Sequence, residues 1–321
     1  MRPMPRKTVV LMPTVFFLLL SAALPIPAAR AQETKAPPAA PVAPVTFTFY
    51  NLMNYLAMER RDGDEVVPNA PKPEREVTAV IEALTTIRPD ILGVCELGDE
   101  TFLADLQSRL KASGIDLPHT ELVRDSAGWN RNLGLLSRFP IVARNSREDY
   151  TYELEGTKHS FQRGILDATI AVSQTYHLRY IGLHLKSKRE VPEGDESLMR
   201  LNEARLARQH LDRILEAEPG ANVIVSGDLN ALRHEIPIKT LQGKFGQQGY
   251  LSALTLSDPY GFHWTHYWSF ADEYSRFDYA LYSQGLKDEI DREASHIHHW
   301  ENWNKASDHR PLVIRIVPED R

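Results

Sequence analysis

Polar residues stand at the ends of apolar, β-rich runs all along this chain, and that placement narrows the folds open to it. Eight short runs have strand character: 46–50, 91–94, 133–136, 165–172, 178–185, 223–225, 277–282 and 312–317. The first, Thr46-Phe47-Thr48-Phe49-Tyr50, alternates with period two and ends at Asn51. Helical stripes separate several of the runs. After Pro73 the residues Val77, Val80, Ile81, Leu84 and Ile87 fall on one face, and Phe102, Leu103, Leu106 and Leu110 mark a second helix. A third is predicted over about 197–216, striped by Leu201, Ala204, Leu211 and Leu215, with Asp195 or Ser197 as its cap. Only a short turn separates the fourth run from the fifth, as in a hairpin. Hairpins mixed with helical crossovers predict an α/β fold of mixed sheets covered by helices. No repeat and no second composition break interrupts 45–317, so one domain is expected there, with a short tail at 318–321.

The N-terminus has a different character. Arg2, Arg6 and Lys7 precede an apolar stretch over 8–24, and Ala29-Arg30-Ala31 has the small-x-small pattern of a signal-peptidase site. Residues 1–31 therefore read as a secretory signal for the periplasm or exterior. The alternative is an uncleaved anchor, but the apolar core is short for a span of ~20 residues and contains Pro13. Residues 32–44 are rich in Pro and Ala and suit an extended linker.

Four of the 37 basic residues lie in the signal segment and none of the 43 acidic ones does, which leaves a mature net charge of −10. Such a field does not draw in polyanions, so nucleic acid would have to be held by local Lys and Arg. Cys95 is the single cysteine, which excludes an internal disulfide. It sits in the apolar run Ile91-Leu92-Gly93-Val94-Cys95, where a buried thiol acts as a small hydrophobe; a nucleophilic role is the weaker reading.

Taken singly, the polar residues leave alternatives open. Gly227-Asp228-Leu229-Asn230 leaves a strand through a glycine that permits a sharp turn and presents two oxygen-bearing side chains, although an ordinary Asx turn has the same letters. Ser307-Asp308-His309 places an acid beside an imidazole at a strand entrance, in a turn or a site. Glu96 ends a run apolar enough to bury, so its carboxylate needs a cation or an arginine as partner. His184 is flanked by Lys186 and Lys188, a setting that would welcome phosphate oxygens, or a solvated strand end. If the last two strands run opposite to the others, all of these ends meet on one rim.

Asn51, Glu96, His184, Asp228-x-Asn230, Asp278-Tyr279 and Ser307-Asp308-His309 together resemble the succession of motifs in the endonuclease/exonuclease/phosphatase superfamily. The phrases Arg88-Pro89-Asp90-Ile91-Leu92 and Asn132-Leu133-Gly134-Leu135-Leu136-Ser137-Arg138 also resemble it, and the likeness spans 45–317. It implies a four-layer sandwich in which two mixed β-sheets pack face to face with helices outside. It implies a Mg²⁺ or Mn²⁺ held chiefly by Glu96, with Asn51 and Asp308 close to the ion. Asp228 and Asn230 would orient and activate the attacking water, and Asp278 would set the tautomer of His309. His184 would bind the scissile phosphate, with Asn51, Asn230 and Arg163 as further phosphate contacts.

The implied activity is metal-dependent phosphoester hydrolysis by a monomer, with DNA or RNA as the leading substrate. A phospholipid or a small phosphate ester is the alternative, and a catalytically silent binding module is a third. The motif-bearing stretch of inositol 5-phosphatases is absent around Asp278, where Ser275-Arg276-Phe277 stands. No glutamate is evident to support His184; the nearest stretch reads Trp129-Asn130-Arg131-Asn132. The ring-rich segment 260–270 either packs a loop onto the core or presents rings to bases or lipid. His296-Ile297-His298-His299 lacks the partner spacing of a zinc site.

Overall fold

The structure, a computed structural model, describes residues 43–320 and Thr8 upstream; the expected signal segment and most of the linker lie outside the described residues. The chain runs through β1 (Val45–Tyr55), β2 (Met58–Asp62), β3 (Glu65–Ala70), α1 (Glu74–Ile87), β4 (Ile91–Leu97), α2 (Glu100–Ala112) and β5 (His119–Val123). It continues with β6 (Asn132–Ser137), β7 (Ile141–Arg144), β8 (Thr151–Leu154), β9 (Thr157–Ser160), β10 (Leu166–Ala171), β11 (His177–His184) and α3 (Glu196–Ala217). The C-terminal part holds β12 (Val223–Asp228), α4 (Ile236–Gln242), β13 (Ser252–Ala253), β14 (His266–Trp268) and β15 (Glu273–Ser275). Last come β16 (Asp278–Tyr282), β17 (Ile290–Ile297), α5 (Trp303–Ala306) and β18 (Leu312–Ile316).

Two six-stranded sheets result, ordered β17-β18-β1-β4-β6-β5 and β13-β16-β12-β11-β10-β7. Each is built around one parallel pair made by a helical crossover: β1 with β4 through α1, and β11 with β12 through α3. The neighbours β18 and β16 run antiparallel to β1 and β12, which meets the condition for a single rim. All eight predicted strands are present. The strands not foreseen are short ribbons and sheet edges such as β17, whose charged residues Asp291, Arg292 and Glu293 face solvent.

Strand alternation sets the layering. In β1, Phe47 and Phe49 point into a core shared with Leu178 and Tyr180 of β11 and with Ile224 of β12. Tyr50 and Leu52 point the other way, onto Val80, Leu84, Leu106 and Leu110 of α1 and α2. On the second sheet, Ile181, Leu183 and Val225 pack outward against Ala204 and Leu211 of α3 and Ile238 of α4. The order helix, sheet, sheet, helix is the expected four-layer arrangement. Phe47 meets Tyr180 edge-on between the sheets at 5.0 Å, a contact of about 0.5–1.5 kcal/mol beyond area burial. Gly93 makes room for that tyrosine, because a Cβ there would sit 2.3 Å from its hydroxyl. Cys95 is fully buried in the same core, and burial pushes its thiol pKa up, which suits a packing role.

The helix ends follow local rules. Asp195 caps α3 by accepting from the amides of Ser197 and Leu198, and Asp99 caps α2 through Thr101. Arg88 takes a left-handed conformation and closes α1.

Candidate active site

The rim residues continue the rows that build the central core. Tyr180, Gly182 and His184 share one face of β11; Ile224, Ser226 and Asp228 share one face of β12; Tyr282, Ala280 and Asp278 share one face of β16. His184 pairs in register with Asp228, and Asp228 with Asp278, so three polar groups stand on one rung across three strands. Asn51 extends the Phe47–Phe49 row of β1 toward the same rim. The site is thus the polar end of the layer that packs the two sheets.

Glu96 breaks that parity. Alternation from Leu92 and Val94 would turn it toward the helices, but it adopts a left-handed φ of +58° and the β1–β4 pairing shifts register around it. Met53 and Asn54 are also left-handed, at +47° and +58°, and the Asn54 amide donates to Glu96 Oε2 at 2.9 Å. Such residues persist only where surrounding contacts over-determine them. Here Lys72 donates to the Met53 carbonyl, Arg60 to the Asn54 carbonyl and Arg131 to Asn54 Oδ1.

Gly227 serves a different purpose from the sharp turn predicted for it. Its φ is not left-handed; Asn230, at +47°, makes the turn instead. A Cβ on Gly227 would lie 1.9 Å from the Leu183 carbonyl oxygen, so the glycine permits β12 to approach β11 closely. Gly227→Ala is expected to destabilise the fold by about 2 kcal/mol or more, because the clash is with backbone. Urea unfolding of that variant measures it.

The contacts join distant segments. Asn51 Nδ2 donates to Asp228 Oδ2 at 3.1 Å and lies 3.4 Å from His309 Nε2. His309 Nε2 is 3.6 Å from Asp228 Oδ2, while its Nδ1 is 2.7 Å from Asp278 Oδ2. His184 Nε2 lies 3.7 Å from Asp228 Oδ2 and 4.0 Å from Glu96 Oε1. Ser307 ties the last segment in, donating to the Asn51 carbonyl and accepting from the His309 amide. Six predicted residues therefore meet in one largely buried cluster at the rim. Asn230 is beside them, with its amide on Asp228 Oδ1 and its side chain donating to the Leu185 carbonyl. Arg163 is buried, bonds Gln162 and acts on His184 through its charge; no direct contact joins it to the cluster among the described residues. Asp308 turns its carboxylate outward, 41% exposed and 3.9 Å from His266.

Burial and charge set the protonation states. Burial pushes the Asp228 carboxyl up to about 7; His309 opposes this and Asp278 adds to it. Burial acts against a charged His309, yet Asp278 and Asp228 outweigh it and raise that imidazole well above its ordinary value. Burial, then the charges of Arg163, His309 and Arg131, depress His184, which stands neutral. Its Nδ1 is buried with no hydrogen-bond partner among the described residues.

Two residues escaped the sequence reading. Glu203 of α3 is fully buried and accepts the Lys186 amide at 2.6 Å and the Gln162 amide at 3.1 Å, linking the segments that carry His184 and Arg163. Burial pushes its pKa up to about 7. His266 opens a ribbon and packs its ring, tilted by 53°, against that of His309 with centroids 4.7 Å apart. Neither has a sequence signal of its own: one reads as a helical surface charge, the other as a member of an aromatic loop. That loop divides in two. Trp264 packs under the buried Arg310, whereas Trp268 and Phe270 at the ribbon tip are 52% and 89% exposed.

Glu96, Asn51 and Asp308 offer hard oxygen donors of the kind that suit Mg²⁺ or Mn²⁺. The fit rests on Glu96 Oε1, whose sibling oxygen is fixed by the Asn54 amide while it lies 4.0 Å from His184 Nε2.

Solved structures share this fold at low sequence identity. Sphingomyelinase C from Streptomyces griseocarneus is 17% identical with a TM-score of 0.56, over 85% of this chain and 99% of that one. The human Nocturnin catalytic domain is 18% identical with a TM-score of 0.58, over 85% and 93%. Truncated TDP2 from Caenorhabditis elegans is 15% identical with a TM-score of 0.55, over 85% and 97%. No curated protein sequence matches the chain. The profile of the Endonuclease/Exonuclease/phosphatase family matches residues 54–309, across the left-handed turn before Glu96 through to His309. The chain therefore belongs to the endonuclease/exonuclease/phosphatase family, a group of phosphoesterases.

Proposed function

We propose that the chain is an exported, divalent-metal-dependent phosphodiesterase that cleaves nucleic acid by attack of water on phosphorus. The observation that carries this reading is the relay Asp278–His309 facing Asp228, within reach of His184, Asn51 and Glu96. With Nδ1–H given to Asp278, His309 keeps Nε2 for the cleft. Asp228 and His309 stand 3.6 Å apart and influence each other's titration, so the pair acts as the base that takes the water's proton. Neutral His184 donates an N–H hydrogen bond to a phosphoryl oxygen. Asn51 and Asn230 orient the phosphate and hold Asp228. A cation on Glu96, Asn51 and Asp308 would compensate charge on the phosphoryl and leaving oxygens. Arg131 and Arg163 supply local positive charge on a chain that is acidic overall, and export rests on the pattern of residues 1–31.

A second reading, phospholipid headgroup hydrolysis, is favoured by one observation: the exposed Trp268 and Phe270 beside the acidic Asp272 and Glu273. Rings without cations suit a zwitterionic interface better than a polyanion. Residues 32–321 incubated with plasmid DNA, RNA or sphingomyelin vesicles, with Mg²⁺ or EDTA, decide between them. Metal-dependent nicking or RNA cleavage is the expected result. Headgroup release with intact nucleic acid selects the second reading, and no hydrolysis of any substrate overturns both.

A further inference from the structure

We propose a second cation position on the outer side of Asp308, with His266 Nε2 and Asp308 Oδ2 as its protein donors and a preference for Mn²⁺, Co²⁺ or Zn²⁺ over Mg²⁺. Among the described residues, His266, Asp308 and His309 are the His, Cys, Asp and Glu side chains grouped closely enough to hold an ion, with ligand atoms within 4.8 Å of one another. His309 is already engaged, since Nδ1 meets Asp278 and Nε2 faces Asn51 and Asp228. The outward donors are then His266 and Asp308.

The 3.9 Å between His266 Nε2 and Asp308 Oδ2 is too long for a direct hydrogen bond. Two bonds of about 2.1 Å meeting at a tetrahedral angle place their donors about 3.4 Å apart, so the half-exposed Asp308 carboxylate has to close on the imidazole by only about 0.5 Å to share an ion. The imidazole is already held in place. Its residue forms a backbone bridge with His309, and its ring lies 4.7 Å from that of His309 and 5.1 Å from Phe277. The neighbouring Tyr267 amide donates to the Asp308 carbonyl at 2.9 Å, so the donors belong to two paired segments. Little ordering entropy is left to lose on binding. The Asp308 side chain is 41% exposed, which gives an ion a route in and leaves room for waters to complete its shell.

Ion preference follows from donor chemistry. Glu96, Asn51 and Asp308 alone form an all-oxygen set. An imidazole nitrogen shifts selection toward borderline ions, for which the Irving–Williams order favours Co²⁺ and Zn²⁺ over lighter ions. The inference takes Asp308 to lie at the cation-binding edge, as the proposed function does, but its test reads binding rather than turnover.

Calorimetry and Mn²⁺ electron paramagnetic resonance on residues 32–321 provide that test. Wild type is expected to bind Mn²⁺ in two classes of site. His266→Ala should lose one class, or weaken it at least tenfold, with the Mg²⁺ isotherm changed less than twofold. His266→Phe keeps the ring between His309 and Phe277 while removing the nitrogen, so it decides the matter if His266→Ala unfolds. Co²⁺ added to wild type should give a visible absorption band that His266→Phe lacks. A single Mn²⁺ class in wild type, or two unaltered classes in His266→Phe, overturns the proposal. Glu96→Gln separates it from the main reading, because that variant should lose the other class and keep the His266-dependent one.

Discussion

Glu96→Gln is expected to lower the rate of phosphodiester hydrolysis by about a thousandfold or more at saturating Mg²⁺. Metal-assisted charge stabilisation supplies several kcal/mol, and each 1.36 kcal/mol is tenfold in rate. The glutamine still offers an oxygen to the Asn54 amide, so the left-handed segment at Met53 and Asn54 keeps its anchor. The melting temperature should therefore move by only a few degrees, which separates lost chemistry from lost fold. Glu96→Ala removes that anchor too and should cost about 1 kcal/mol more in stability. Initial rates across a Mg²⁺ titration, with thermal melts of both variants, check this. A Glu96→Gln enzyme within tenfold of wild type would show that the carboxylate is not the main ligand.

Asp278→Asn should have an effect of similar size, read mainly in the pH profile. Asp278 raises the pKa of both His309 and Asp228, so its loss lowers both. The base must be unprotonated, and activity in wild type therefore rises with pH through the apparent pKa of the pair. In the variant that rising limb moves to lower pH, while the plateau falls about 10²–10⁴-fold because the tautomer of His309 is no longer fixed. The stability effect has the opposite pH sense to a carboxylate salt bridge. A histidine whose folded pKa is raised contributes stability below its unfolded value of about 6.5 and loses it as pH rises through the folded value. Asp278→Asn should accordingly lower the melting temperature more at pH 5 than at pH 9. An unchanged limb with a reduced plateau would make Asp278 a packing residue alone.

Much of the architecture was legible because burial writes a pattern into sequence. Strands lying between two packed layers, such as β4 and β12, need apolar residues on both faces, and those runs are easily seen. The edge strands β5, β7 and β17 escaped notice because one side of each is wet and no period forces their composition. The site was legible through order: Asn51, Glu96, His184, Asp228, Asp278 and His309 each follow or precede a buried run. Glu203 and His266 were not, because each acts through a neighbour more than 15 residues away. Glu203 touches the loops after β11 and before β10, and His266 touches Asp308 and His309.

By itself the sequence determined which apolar runs are buried, which of them pair across a short turn and which polar groups stand at their ends, since these depend on local period and propensity. Tertiary structure alone decided the direction of Glu96, the need for glycine at 227, the pairing of His309 with Asp278, and the approach of His266 to Asp308. Those outcomes depend on ångström-scale distances between segments that meet only after both sheets have packed, and no rule of spacing along the chain encodes such distances.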